Sequence, residues 1–251
     1  MFKKLIAIYS VLIVACACSR DTDEFTNNTS DYNHSRSVGA SGNDLLSNTR
    51  YKSLLIEIQY MPGYKPDTQA IDHLKSFLET FLNKNEGITI RMNEINGMGT
   101  AGLSTEEIRQ TENKNRTAFS SASAVAVYIL YTNGQHAASA STLGIAYRNT
   151  SIALMGKTIH DNSGGVGQVS RTKLEATVLE HEMGHLLGLV DLGSRMQTYH
   201  KDPANGNHCN NLNCLMYYAS ESTDILGLLV TGNIPQLDAN CKTDLKNNGG
   251  K

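Results

Sequence analysis

From Tyr51 onward the chain switches repeatedly between two spacings of apolar residues. Leu54, Ile56, Ile58 and Tyr60 recur at every second position, the period of a strand with a buried face, and MPGYKP after them reads as a turn. Asp67 stands where it can cap a helix whose apolar stripe is Ile71, Leu74, Phe77, Leu78, Phe81 and Leu82. ITIRMNEI, from Ile88, predicts a second strand, and STEEIRQTENKNR, from Ser104, a polar and exposed helix. The run SAVAVYILYT, from Ser123, is apolar on both faces and rich in β-branched residues, as a central strand covered on both sides requires. LGIAYRN and SIALMGKTI predict two short strands, joined so closely by Asn149 and Thr150 that they form an antiparallel edge pair. DNSGGVGQVS, from Asp161, is a flexible glycine-rich connection. It leads into LEATVLEHEMGHLLGLVD, a helix with Leu174, Val178, Leu179, Met183, Leu186 and Leu187 on its buried flank and Thr172 with Glu175 as a capping box. Gly188 follows the last helical turn, where a left-handed backbone costs little only for glycine. Strand, helix, strand, helix, strands and a final helix make an α+β arrangement around a mixed twisted sheet with an antiparallel edge strand.

The pattern before Tyr51 is different. Residues 1–18 carry two lysines, a short apolar run and then small residues with cysteine, the layout of a secretory leader, and the run is too short to span a membrane. Ile13 to Cys16 resembles a lipobox, which makes Cys16 the expected lipidation site. Cys18 is the alternative, because SRDTDE after it resembles the surface-export signals of some Bacteroidetes lipoproteins. A plain cleaved leader would export the protein as well. Residues 19–49 are rich in Ser, Asn, Asp and Gly with few large apolar side chains, and are expected to be a flexible tether. The expectation is therefore a lipoprotein anchored to the cell envelope, with the outer-membrane surface as one place for it, and a folded domain at residues 50–251.

With 40% hydrophobic and 18% charged residues, the whole chain is of ordinary globular composition. A net charge of -2 with no lysine or arginine cluster argues against nucleic acid as a partner. The chemistry lies in HExxH at 181–185. On a helix of about 3.6 residues per turn, His181 and His185 share one face and can reach one metal ion, with Glu182 beside it to take a proton from water. HExxH alone has false positives. The conjunction of helix, motif, Gly188 and the later HCNNLNCLMYY points to zinc.

With HExxHxxG at 181–188 and Met216 inside CLMYY, the chain resembles the metzincin clan of zinc peptidases. The resemblance implies an N-terminal subdomain at 50–188, a cleft, and a small irregular C-terminal subdomain at 189–251. It implies that an edge strand, for which Leu143–Arg148 is the candidate, binds extended peptide by strand addition. Met216 would be the methionine of the Met-turn, and Tyr218 the tyrosine that swings between metal and substrate.

For the third ligand, two patterns disagree. HExxHxxGxxD, as in snapalysin-like members, selects Asp191. HCxxxxCxM, as in archaemetzincins, selects His208, next to Cys209 and eight residues before Met216, if LGSRMQTYHKDPANGNH is an inserted loop. His208 is favoured, Asp191 is the alternative and His200 a distant third. Archaemetzincins continue with a cysteine pair for a second zinc, and here only Cys241 remains. The expectation is one catalytic Zn2+, a disulfide between Cys209 and Cys214, and Cys241 left single or competing for pairing.

These features predict an exported zinc metalloendopeptidase acting on protein or peptide, with Glu182 as general base. The competing reading is a non-catalytic zinc-binding surface lipoprotein serving adhesion or binding. A gluzincin-type enzyme with Glu221 as the last ligand ranks lower.

Overall fold

The computed structural model describes residues 31–99 and 102–251. Cys16, Cys18 and the first part of the expected tether lie outside them. In chain order the elements are α1 (Gly42–Leu46), β1 (Ser53–Tyr60), α2 (Thr68–Phe81), β2 (Ile88–Glu94), α3 (Thr105–Asn115), β3 (Ala124–Tyr131), β4 (Gly144–Arg148), β5 (Ser151–Leu154), α4 (Gly156–Asp161), α5 (Arg171–Leu186), α6 (Leu226–Thr231) and α7 (Ala239–Asn247).

One mixed sheet runs in the order β2-β1-β3-β5-β4. Its pairs are parallel except for β4 against β5, so β4 is an antiparallel edge strand. β3 is the central strand that its two-faced apolar pattern predicts, and every residue after Ala124 is buried. Leu54, Ile56 and Ile58 face the larger core, with Leu74 and Leu78 of α2 and Val178 and Leu179 of α5. A smaller core on the opposite face joins Tyr128 and Leu130 to Ile108 of α3.

α3 is less exposed than its composition predicts. Glu112 is buried beneath it, paired with Arg116 at 2.7 Å and Arg148 at 2.9 Å. The other face of β1 is also closed, and its polar side chains are satisfied: Glu57 accepts from the backbone N–H groups of Thr117 and Ala118, and Gln59 donates to Asn115 O. Burial without those partners would cost about 1–3 kcal/mol per group.

Asp67 caps α2 as expected, accepting from Ala70 N. The cap of α5 differs from the expected box: Ser170 accepts from Lys173 N, while the Thr172 hydroxyl donates to Asp67 and Glu175 accepts from Asp67 N. Thr172 and Glu175 thus tie the starts of α2 and α5 together. The strand expected over SIALMGKTI ends at Leu154, and α4 follows.

The expected tether is corrected over its second half. Residues 31–49 are folded onto the domain, with Tyr32, Leu45 and Leu46 in the larger core. Tyr32, Leu45 and Leu46 are buried together with Val38 partly buried against them, and polar groups do the rest: Arg36 N donates to Asn149 Oδ1, Asn149 Nδ2 to Ser41 Oγ. Average composition hides such a concentrated contact. Beyond Gly188 the described chain consists of loops, two short 3-10 turns, α6 and α7. Among the described residues no helix is long and apolar enough to cross a membrane.

Candidate metal centre

From Leu174 onward α5 is buried throughout, which sets its polar residues in the interior. His181 and His185 lie one turn apart with their Nε2 atoms 3.1 Å from each other. His181 Nδ1 stands 2.8 Å from Leu215 O, and His208 Nδ1 2.7 Å from Asn205 O. A carbonyl only accepts, so each Nδ1 carries the proton and each Nε2 presents a lone pair. The His208 ring stacks on His181 at 5.3 Å between centroids. His208 Nε2 and both Glu182 carboxylate oxygens are buried without a hydrogen-bond partner.

Glu221 completes the group. One of its oxygens lies 3.4, 3.8 and 3.9 Å from Nε2 of His208, His181 and His185. Ligands about 2.0–2.1 Å from a tetrahedral zinc are about 3.3–3.4 Å from one another. Edges of 3.1 to 3.9 Å therefore fit that ion, and buried nitrogen lone pairs turned toward one point need a cation.

The electrostatics agree. Burial, then the neighbouring His181 and His208, hold His185 well below the usual imidazole value, so it stays a neutral donor. Burial, reinforced by the Glu221 carboxylate, pushes Glu182 well above the usual carboxylate range, while the Ala146 amide opposes the rise. Burial raises Glu221 too, but the facing His181 and His208 outweigh it and hold that carboxyl low.

Each group is placed by a local device. A Cβ on Gly184 would stand 2.3 Å from Met216 Sδ, so the methionine packs against the helix backbone between the two histidines. At Gly188 φ is +84°, and a Cβ would meet Ser194 N at 2.6 Å. The loop from 192 returns through Asp202 N to His208 O (2.7 Å) and Cys209 N to Met216 O (2.7 Å), which seats His208 over α5. Asp191 is not in the group. It sits with φ +71°, its side chain 60% exposed and 3.3 Å from Lys201 Nζ. Tyr218 is half-buried, its ring 4.6 Å from that of Tyr217, in the turn that also carries Glu221.

The profile of metallo-peptidase family M12 matches residues 58–226, more than half of the chain. The chain belongs to this family. No curated protein matches it. Among solved structures, this M12 metallopeptidase is similar to the archaemetzincin of Methanopyrus kandleri, with 13% identity, a TM-score of 0.49, and 78% of this chain and 96% of that one covered. It is also similar to metalloproteinase-II of Bacteroides fragilis, with 14% identity, a TM-score of 0.43, and 81% of this chain covered but 55% of that one. It is a zinc metallopeptidase with an α+β fold.

The cysteines require a correction. Cys209, Cys214 and Cys241 are all buried and free, so Cys209 and Cys214 are not the expected disulfide. Each thiol is turned instead toward a second cluster of ligand-type side chains that includes His200 and Cys241. Two groups of side chains among the described residues could therefore hold a metal ion. Sequence reasoning undervalued three residues here. Glu221 stands five positions past Met216, His200 eight before His208, and Cys241 on α7; only the even spacing about His208 was a signal.

Proposed function

We propose that this M12 metallopeptidase is an endopeptidase that cuts extended peptide, with His181, His185 and His208 holding one catalytic zinc and Glu182 acting as general base. The observation that carries the reading is the convergence of three buried Nε2 atoms beside a buried carboxylate without a hydrogen-bond partner. Zinc bound there lowers the pKa of water from about 15.7 to about 7 and polarises a carbonyl.

The chain's own residues then do the following. Glu182, its proton affinity raised by burial, accepts the proton of the attacking water and returns it to the leaving amine. Leu215 and Asn205 hold the two imidazole tautomers through their carbonyls. β4 has one edge unpaired in the sheet, so its backbone can take an extended substrate as a further strand, beside Glu182. Tyr218 donates to the oxyanion after a side-chain swing. Residues 1–18 export the protein, and Cys16, or Cys18, carries a lipid anchor.

The non-catalytic reading has one observation in its favour, the Glu221 oxygen at the fourth corner, because closed four-ligand sites are structural ones. A binding module has no use for Glu182, however. The test compares zinc-loaded wild type and Glu182→Ala on a broad peptide library. The expected result is equal zinc content with activity reduced about 10²–10⁴-fold. Equal activity would overturn the reading.

A further inference from the structure

We propose that His200, Cys209, Cys214 and Cys241 form a second zinc site, closed and structural, that locks the inserted loop and the last helix to the segment carrying His208. All four side chains are buried. His200 Nδ1 lies 3.4 Å from Cys209 Sγ and 3.9 Å from Cys241 Sγ, and Cys214 Sγ lies 3.6 Å from Cys241 Sγ. A sulfur-rich tetrahedral zinc, with Zn–S about 2.3 Å and Zn–N about 2.0–2.1 Å, places its donors about 3.6–3.8 Å apart. Sulfurs of a disulfide are about 2.05 Å apart, so no pair here is bonded.

The histidine is prepared for a metal. Its Nε2 lies 2.8 Å from Asp244 Oδ2, and Asp244 is wholly buried. The carboxylate accepts the hydrogen bond that Nε2–H donates and leaves the Nδ1 lone pair aimed at the sulfurs, the arrangement that orients metal-bound imidazoles. The Asp238 backbone N–H points at Cys214 Sγ at 3.4 Å, which suits a thiolate. Asp238 lies close enough to be a ligand itself. Its carboxylate is already engaged: Oδ1 caps α7 through Cys241 N, and Oδ2 accepts from Asn211. Cys214 therefore takes the fourth corner. Three sulfurs and one imidazole select zinc over hard cations.

The ligand set is this chain's own. It needs no cysteine pair close in sequence, because the inserted loop contributes His200 and α7 contributes Cys241. Cys209 and Cys214 bracket the turn between His208 and Met216, so the site braces both flanks of the first metal centre.

The test uses the full chain purified under reducing conditions, with zinc counted by elemental mass spectrometry and cobalt substituted for spectroscopy. Wild type should hold two zinc ions per chain and give an intense thiolate-to-cobalt charge-transfer band. His185→Ala should lose one ion and keep the band, which separates this proposal from the catalytic reading. Cys241→Ser should lose one ion and the band. Should that variant not fold, alkylation of wild type decides: the three thiols should be protected until a chelator is added. One zinc per chain without the band, or thiols that alkylate before chelation in folded protein, would overturn the proposal.

A different observation carries a second inference, which rests on the proposed catalytic reading. We infer that Glu221 is a latch that fills the fourth position of the first metal in the resting protein. Its oxygen is within 3.4 to 3.9 Å of three ligand nitrogens. Its backbone is fastened to the chain entering β4, through Leu143 N to Glu221 O (2.8 Å) and Thr223 N to Ser141 O (2.9 Å). A strand added to β4 would meet this fastening and can pull the carboxylate away. Glu221→Gln should change the visible spectrum of cobalt at the first site, bind a hydroxamate about tenfold faster and gain peptidase activity about as much. An unchanged spectrum and unchanged hydroxamate rate would refute the latch, whether or not the protein cleaves peptide.

Discussion

Gly144 opens β4 directly against the active-site helix, and alanine there tests how finely Glu182 is positioned. A methyl group at Gly144 would stand 2.5 Å from Val178 Cγ1, 2.9 Å from Glu182 Oε1 and 3.0 Å from Glu182 Cγ. Comfortable carbon contacts are about 3.5–4.0 Å, so something must move by about 1 Å. β4 is restrained by its pairing of Gly144 with Leu154 and by the Leu143–Glu221 hydrogen bond. Val178, β-branched on a helix, has essentially one rotamer. The Glu182 carboxylate, steadied only by the nearby Ala146 amide, yields most easily.

Overpacking of this kind costs about 1–3 kcal/mol, which should lower Tm by several degrees. A misplacement of about 1 Å at a catalytic group costs about 10²-fold. The expected result for Gly144→Ala is kcat/KM down about 100-fold, about 2.7 kcal/mol, with zinc content unchanged. Gly227→Ala, where a methyl meets nothing within 4 Å, should leave kcat/KM as it is. Wild-type kcat/KM and Tm in Gly144→Ala would refute the reasoning.

Three other outcomes follow from the same contacts. His208→Ala should weaken zinc binding at the first site at least 100-fold while Asp191→Ala leaves it within a few-fold; competitive chelator titration reads both, and the reverse order would exclude His208. Glu112→Ala strands the buried Arg116 guanidinium and should destabilise the fold by about 3–5 kcal/mol in urea denaturation, whereas a loss below about 1 kcal/mol would mean that Arg116 finds another acceptor. Burial pushes the Glu180 carboxyl up to about 8, above its unfolded value near 4.3, so the stability linked to its proton is whole below about pH 4 and is lost as pH rises through 8. Glu180→Gln cannot ionise, and its Tm relative to wild type should therefore grow from pH 5 to pH 9; a pH-independent difference would contradict that shift.

What the amino-acid sequence determines by itself is what short-range spacing can encode. Leu54, Ile56 and Ile58 at period two, the stripe from Ile71 to Leu82, and the two-faced run in β3 each set their element, because burial of a repeating face depends on local geometry alone. The pair His181 and His185 is of the same kind, since four residues on a helix must share a side.

Only the tertiary structure decided what lies between distant residues. Asp191 is three positions from Gly188, yet a left-handed turn at Val190 and Asp191 points it toward Lys201, while His208 returns from a long loop to stack on His181. Glu57 and Glu112 look exposed by composition and are buried because the Thr117 and Ala118 amides and Arg116 supply their partners, and Asn149 helps to fasten the polar stretch from Asp31 to Thr49 onto the domain. His200 and Cys241, 41 residues apart, meet because Asp244 on α7 holds one ring nitrogen of the histidine and Cys241 on the same helix faces the other. Loop closure costs little more for a long loop than for a short one, so spacing along the chain carries almost no information about which side chains a folded loop brings together.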